Sequence, residues 1–536
     1  KLHFALKFSD EQTVDSTFER EAPTLTIGDG NLLPGFEAYL IGLTTGDHKV
    51  FTVPPEEAFG QQNPQNIQEM KRSTFPADMP VAPGLMVSFA DAQGAELPGL
   101  ISEVKGDWVS VDFNHPLAIL YSSGTTGKPK GVILSHRNLI FECSVVLPLL
   151  GMTKDDRSLA FLPWAHVFGQ VSEVHGLISS GGSAGLVDDV NTLIEELGIV
   201  KPSMFFAVPR VYNRIYDRLK GQMKEKPGFI RALFYGGLKQ AKREREGETL
   251  GFLDNLTLTL ARKIIFKKIL NRFGGNLRIA VSGASALSPA VAEFVNDIGI
   301  SIYEGYGLSE NAAALSINYP GARRFGSVGK PLPGVRIEID KTVEGSKEED
   351  GEVLAYGENI MLGYHNLPEK TKESINEDGG LRTGDLGHLD ADGYLYITGR
   401  VKEQYKLENG KYIAPAPLEE SLKLSAYIDQ VMLYGYNRPH NVALIVAAMP
   451  AVEQYAEGLG ISGNSESILS EPRIRQLFKE QLERYGKDFK GYEHPQNFAL
   501  LSEEWGIDNG LLTPTLKVKR EVVEEQFKTQ IEGLFS

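Results

Sequence analysis

Residues Tyr121 to Gly131 read YSSGTTGKPKG, a turn of hydroxyls, glycines and two lysines directly after the apolar run Leu117-Ala118-Ile119-Leu120. Glycine lets backbone N–H groups approach phosphate oxygens, Ser and Thr donate hydrogen bonds, and Lys adds a point charge, so a nucleoside triphosphate is the natural guest. The loop is not of the Walker type, because Gly127-Lys128 is followed by Pro129 rather than Ser or Thr. On composition alone, a flexible Gly/Ser/Thr linker is an equal alternative.

An anionic guest must here be gripped by local design. The formal charge of the 536-residue chain is −15, which argues against electrostatic capture of nucleic acid, since that needs a basic face to release counterions. Cys143 is the single cysteine, which excludes an internal disulfide framework and Cys-cluster metal sites and fits a reducing compartment. No run approaches the roughly 18 apolar residues of a membrane span, and Lys1-Leu2-His3-Phe4 lacks the order of a signal peptide, so a cytoplasmic protein is expected. At ~150 residues per domain the length allows roughly three to four domains.

The pattern changes near residue 118. Leu2, Phe4, Leu6 and Phe8 alternate with polar or small residues, the period of a half-buried strand, and Met86–Phe89 and Trp108–Phe113 read as strands, with Lys105-Gly106-Asp107 as a hairpin turn. Beyond residue 119 short apolar strands alternate with helix-length segments, as in Ala292–Val295 followed by Ile300–Tyr303. That alternation predicts an α/β domain with a largely parallel sheet.

Four further segments follow the loop: YEGYGLSEN (Tyr303 to Asn311), LRTGDLG (Leu381 to Gly387), GRVKEQYKLENGKYIAP (Gly399 to Pro415) and LLTPTLKVKR (Leu511 to Arg520). In this order they resemble the adenylate-forming, AMP-binding superfamily. AVPRVYNRIYDRL (Ala207 to Leu219) and the YKLENGKY stretch are similar to long-chain fatty acyl-CoA synthetases within it. The resemblance implies ATP, Mg²⁺ and coenzyme A as cofactors and a long-chain fatty acid as substrate. Acyl-adenylate and pyrophosphate would form first, then acyl-CoA and AMP. It implies that Ser123, Gly124, Thr125, Thr126, Gly127 and Lys130 hold the β- and γ-phosphates, and that Glu310, helped by Thr125, binds the metal. Asp385 would accept hydrogen bonds from the ribose hydroxyls with Arg400 assisting, and Gly283, Ala284, Tyr306 and Gly307 would line the nucleotide site. Lys517 would reach the α-phosphate and carboxylate from a mobile lid that turns about Lys402, and His166 would gate the acyl tunnel. Taken singly, several of these have blander readings: Asp385 as a turn former, Lys517 as a solvated lysine, His166 as a structural histidine.

The first 118 residues are of another kind. IGDGNLLPGFEAYLIGLTTGDHKVFTVPPEEAFG (Ile27 to Gly60), QQNPQNIQEMKRSTFPADM and DFNHPLA resemble FKBP-type prolyl isomerases of the SlyD/SlpA-like branch. The resemblance implies a pocket lined by Asp15, Leu33, Phe36 and Phe59, with Phe36 as its floor, and an inserted flap over about 62–113 that holds proline-containing or unfolded polypeptide clients. Such a pocket suffices, because desolvating a twisted amide against apolar walls favours the transition state without a nucleophile.

The expected architecture is thus multidomain. An α+β FKBP-like domain (1–118) with an inserted flap lacks its last strand. It is followed by an α/β adenylate-forming domain (119–398) without its usual N-terminal part, and by a small α+β lid (399–536). Both families can present Leu-Ala at the point of divergence, so a join at Pro116 to Ile119 between two truncated parents is the simplest account. A foldase or chaperone alone, or a nucleotide-binding protein active in neither chemistry, are the alternatives. ARKIIFKKILNRF (261–273) carries five basic and no acidic residues beside an apolar stripe of Ile265, Ile269 and Phe273. It reads either as a packed helix with a solvated basic face or as a weak peripheral contact with the inner face of the membrane.

Overall fold

In the computed structural model the described residues are 3, 5–7, 13–16, 18, 34–44, 47–54, 67–76, 79, 81–83, 85–90, 96–106, 108–112, 115–122, 129–187, 192–344, 349–513 and 517–535. The chain divides into two compact units, 1–85 with 100–112, and 86–99 with 113–536.

In the first unit β1 (Ala5–Lys7) pairs antiparallel with β2 (Thr13–Ser16), in line with the alternation at the N-terminus. Helix Pro34–Leu40 opens on a proline, whose missing N–H costs nothing in a first turn, and carries the half-buried Phe36. β3 (Ile67–Lys71) pairs antiparallel with β6 (Trp108–Asp112), and so does the 100–105 part of β5 (Glu96–Lys105). The β5–β6 turn passes through Gly106 at φ +57°, a conformation glycine takes without strain. Ile101 and Val109 are fully buried between the strands. Leu33 and Phe59 lie outside the described residues, and of Asp15 only the backbone, in β2, is described.

In the second unit, besides β4 (Met86–Ala90), β7 (Pro116–Ser122) pairs with β8 (Lys130–Ser135), which also pairs with β18 (Gly363–Tyr364). The segment in which the FKBP-like sequence breaks off is therefore a strand of the second unit. The main sheet has the order β10 (Ser183–Leu186), β9 (Arg157–Ala160), β11 (Met204–Ala207), β12 (Ile279–Ser282), β13 (Ile302–Tyr306), β14 (Ser316–Ile317), β15 (Lys330–Pro331); its first five strands are parallel. All four residues of β11 and of β12 are buried, as in a sheet covered on both faces. Phe205, Ala207 and Ala280 point into one apolar layer, with Tyr212, Phe234, Phe266 and Phe294 from the helices, while Met204, Phe206, Ile279 and Val281 point into the other. Ala292–Val295 lies in helix Pro289–Asp297, which leads into β13, the expected alternation.

A four-stranded antiparallel sheet follows, ordered β16 (Arg336–Asp340), β17 (Gly351–Tyr356), β19 (Leu381–Leu389), β20 (Leu395–Arg400). After the short ladder β21 (Tyr405–Lys406) with β22 (Tyr412–Ile413), β23 (Ile428–Tyr434), β24 (Asn441–Ala447) and β25 (Pro495–Leu501) form a small sheet. Helices Pro415–Leu422 and Pro472–Gly486 pack on it around Phe478 and Ile445. Ile265, Ile269 and Phe273 are all core residues, so the apolar stripe read in 261–273 faces inward. Cys143 is buried in helix His136–Leu150, where desolvation pushes its thiol up to about 11. Among the described residues no helix is long and apolar enough to cross a membrane.

One polar cluster ties the parallel strands together at their starts. Asp156, 4% exposed, accepts hydrogen bonds from Ser203 Oγ (2.6 Å), Thr153 N (2.8 Å) and Arg278 Nη2 (2.5 Å). Burial pushes its carboxyl up, but the donors, Arg278 first, outweigh that and hold it below the usual range. A carboxyl with a depressed folded-state pKa adds stability above its unfolded pKa and loses it as pH falls through the folded value. Arg278→Ala should therefore cost about 2–3 kcal/mol at neutral pH. The gap between parent and variant in urea melts should close below about pH 4, the ordinary Asp range. A gap that persists unchanged in acid would count against this ion pair.

Candidate active site

β13 ends at Tyr306, whose hydroxyl donates to Asp385 Oδ2 at 2.7 Å. Asp385 lies on β19 directly across from Arg400 on β20, and the guanidinium Nε meets Asp385 Oδ1 at 2.8 Å. Asp385 is only 2% exposed, so it is a buried strand residue rather than a turn former. Burial raises its pKa, and Arg400, the Tyr306 hydroxyl and Lys517 oppose the rise. The Tyr306 phenol is pushed well up by burial and then by the Asp385 charge.

Lys517 reaches this cluster from the C-terminal segment. Leu512 and Val518 form an isolated bridge, and Thr513 N donates to the Lys517 carbonyl at 2.8 Å, which fixes the lysine's backbone. Its ammonium is held below the usual lysine range by burial and by Arg400, partly offset by Asp385, Glu403 and Glu310. The Lys517 charge also acts on His166: burial first, then that charge, lowers its pKa, and its Nδ1 accepts from Phe168 N at 3.3 Å. Asp385, Arg400, Tyr306, Glu310, His166 and Lys517 thus share one site.

Glu310 sits in the 3₁₀ turn Ser309–Asn311 and accepts from the Tyr364 hydroxyl at 2.8 Å. Lys130, the first residue of β8, places its ammonium 4.7 Å from the centre of the Tyr364 ring. Tyr364 therefore links the phosphate-loop lysine to the candidate metal ligand. Ser123, Gly124, Thr125, Thr126 and Gly127 lie outside the described residues. The strands on either side of it, β7 and β8, pair antiparallel with Ser122 opposite Lys130.

The nucleotide-side backbone is tight. Gly307 admits no side chain, since a Cβ there would lie 2.0 Å from the Ala313 carbonyl oxygen. A Cβ on Gly283 would meet the Phe168 ring at 3.3 Å, and Ala284 holds φ +70°, a left-handed conformation that strains a non-glycine residue. Among the described residues no cluster of three or more His, Cys, Asp or Glu is placed to hold a metal. One carboxylate, Glu310, suits a magnesium ion that arrives on a triphosphate and keeps most of its bonds to phosphate oxygens and water. Lys402 is exposed in the turn Val401–Glu403, just after Arg400.

Sequence reasoning missed Tyr364, Glu403 and the pair Trp164–Glu173. Trp164 Nε1 donates to Glu173 Oε2 at 3.3 Å next to His166, and burial pushes the Glu173 carboxyl up to about 8. Glu403 adjoins Lys402 within a motif already singled out, so its acidic charge was the available signal; Tyr364 carries none.

Residues 50–365 match the model of AMP-binding enzymes, and residues 1–78 match that of FKBP-type peptidyl-prolyl cis-trans isomerases. The long-chain-fatty-acid–CoA ligase 1 of Homo sapiens is 34% identical over 430 residues, which are 78% of this chain and 60% of that protein. The long-chain-fatty-acid–CoA ligase FadD15 of Mycobacterium bovis is 32% identical over 427 residues, covering 78% of this chain and 69% of that one. The chain thus spans about 60% of the length of the human relative. The adenylation domain of a carboxylate reductase from Mycobacterium chelonae superposes with a TM-score of 0.60 at 23% identity, over 78% of this chain and 59% of that one, and so shares the α/β fold. With a matched model over more than half its length, the chain belongs to the AMP-binding enzyme family, and an FKBP-type isomerase match occupies its N-terminal end.

Proposed function

We propose that the second unit activates a long-chain fatty acid with ATP and passes the acyl group to coenzyme A. The observation that carries this reading is the convergence of Lys517 on the Asp385–Arg400–Tyr306 cluster beside Glu310. The two relatives described above are both named long-chain-fatty-acid–CoA ligases, which supports the choice of acid.

In this reading Asp385 accepts from the ribose hydroxyls, with the Arg400 charge opposing the cost of burying its carboxylate. The fatty carboxylate attacks the α-phosphorus and pyrophosphate leaves. Negative charge builds on the α-phosphate oxygens, and Lys517 and Lys130 are the cations placed to answer it. Bound magnesium would neutralise charge on the triphosphate, with Glu310 as its protein ligand. A thiol then displaces AMP from the acyl-adenylate. Cys143 cannot supply it, being buried and held protonated, so coenzyme A does. Admitting it requires the 399–536 segment to turn about Lys402 and withdraw Lys517.

For the first unit we propose peptidyl-prolyl isomerisation in a pocket floored by Phe36, with a flap that holds unfolded clients; the FKBP-type match of residues 1–78 supports it.

The direct test is pyrophosphate release that depends on both a long-chain acid and ATP; none above background would sink the ligase reading. Lys517→Ala should slow acyl-adenylate formation on the order of 100-fold or more, yet spare thiolysis of supplied acyl-adenylate. Equal losses in the two half-reactions would remove its assigned role. Glu310→Gln should shift the magnesium titration of the first half-reaction to higher concentration, and an unchanged curve would rule the ligand out. Phe36→Ala should abolish isomerisation of a proline peptide and cost about 2 kcal/mol, less than a fully buried Phe because this ring is half-buried.

A further inference from the structure

The helix that begins at Phe252 continues through a π-helical turn at Arg262–Phe266 to Arg272. Its inner side is fully engaged: Leu258, Ala261, Ile265, Phe266 and Ile269 are in the core. Its outer side is apolar as well. Phe252 is 83% exposed, Leu253 74%, Leu256 45%, Leu260 39% and Ile264 40%. Residues 252, 256, 260 and 264 recur at the i, i+4 spacing of one helical row, and that row continues with Lys268 and Arg272. Lys263 and Lys267 are exposed beside it.

The charge around this row runs against that of the molecule. The chain as a whole carries −15, yet no acidic residue occurs between Asp254 and Glu293. Arg262 is paired with Glu244, and Arg272 bonds Gln222 at 3.1 Å. Among the described residues no ion pair engages Lys263, Lys267 or Lys268. An exposed apolar row that runs into a cationic end is the pattern of a helix lying in a membrane interface.

We propose that residues 252–272 form a docking surface for an anionic lipid bilayer. Phe252, Leu253, Leu256, Leu260 and Ile264 sink to the boundary between headgroups and acyl chains, while Lys263, Lys267 and Lys268 meet lipid phosphates. A second copy of this chain is a poorer occupant, because a symmetric contact would bring two basic rows together. Nucleic acid has no use for the apolar row. The surface differs from the one read in the sequence, where Ile265, Ile269 and Phe273 were the lipid-facing candidates; those three are core, and the exposed row starts at Phe252. It does not depend on the acyl-activation reading, since binding is measured without turnover.

The full chain is sedimented with vesicles of phosphatidylcholine alone or with about 30 mol% phosphatidylglycerol, at low and high salt. Binding to the anionic vesicles, lost at high salt, is expected. Lys263→Glu/Lys267→Glu/Lys268→Glu should weaken it at least ~10-fold, and Leu256→Ser/Leu260→Ser should weaken it as well, with melting curves matching the parent. Equal binding to neutral and anionic vesicles, or parent-like binding by both variants, overturns the proposal. So does a dimer in sedimentation velocity that Leu256→Ser/Leu260→Ser dissolves, since the row would then serve self-association.

Discussion

A carboxylate that has lost nearly all contact with water must be answered by donors or by opposite charge, and at Asp385 the answer comes from three distant parts of the chain. Tyr306 stands at the end of the parallel sheet, Arg400 on the neighbouring strand of the antiparallel sheet, and Lys517 near the C-terminus. None of these segments can satisfy Asp385 alone. Asp385 therefore ties the two sheets together through Tyr306 and Arg400, and the charge of Lys517 adds to the balance around it.

A second carboxylate with little exposed surface shifts the other way. Asp156 receives two guanidinium N–H groups, a hydroxyl and a backbone N–H, and stays below the usual range despite burial. Asp385 is given one guanidinium contact and one phenol, and burial wins. The first joins the starts of three parallel strands, whereas the second stands between the end of the parallel sheet and the antiparallel sheet.

The site residues that were legible in sequence belong to local glycine-rich or charged motifs, because a turn that needs glycine or a charge at one place writes itself into adjacent letters. Tyr306, Glu310, Asp385, Arg400 and Lys517 could each be named that way. Tyr364 could not, since its role comes from β18 pairing with β8 across more than two hundred residues of chain. The alternation that makes the parallel sheet was also legible. The helix from Phe252 was not. With apolar residues on both its faces, periodicity cannot separate the side that packs from the side left outside, and only the fold shows that Leu258 goes in and Leu256 stays out.

Strand β7 has a consequence for handling the molecule. Among the described strands it ends its sheet, ordered β18, β8, β7, and the alternate residues Leu117, Ile119 and Tyr121 are 40%, 43% and 65% exposed. An edge strand with an apolar outer row is a template on which another chain can add a strand, and a proline at its first position blunts only one end. Strand addition at such an edge is a route to precipitation that does not require the molecule to unfold.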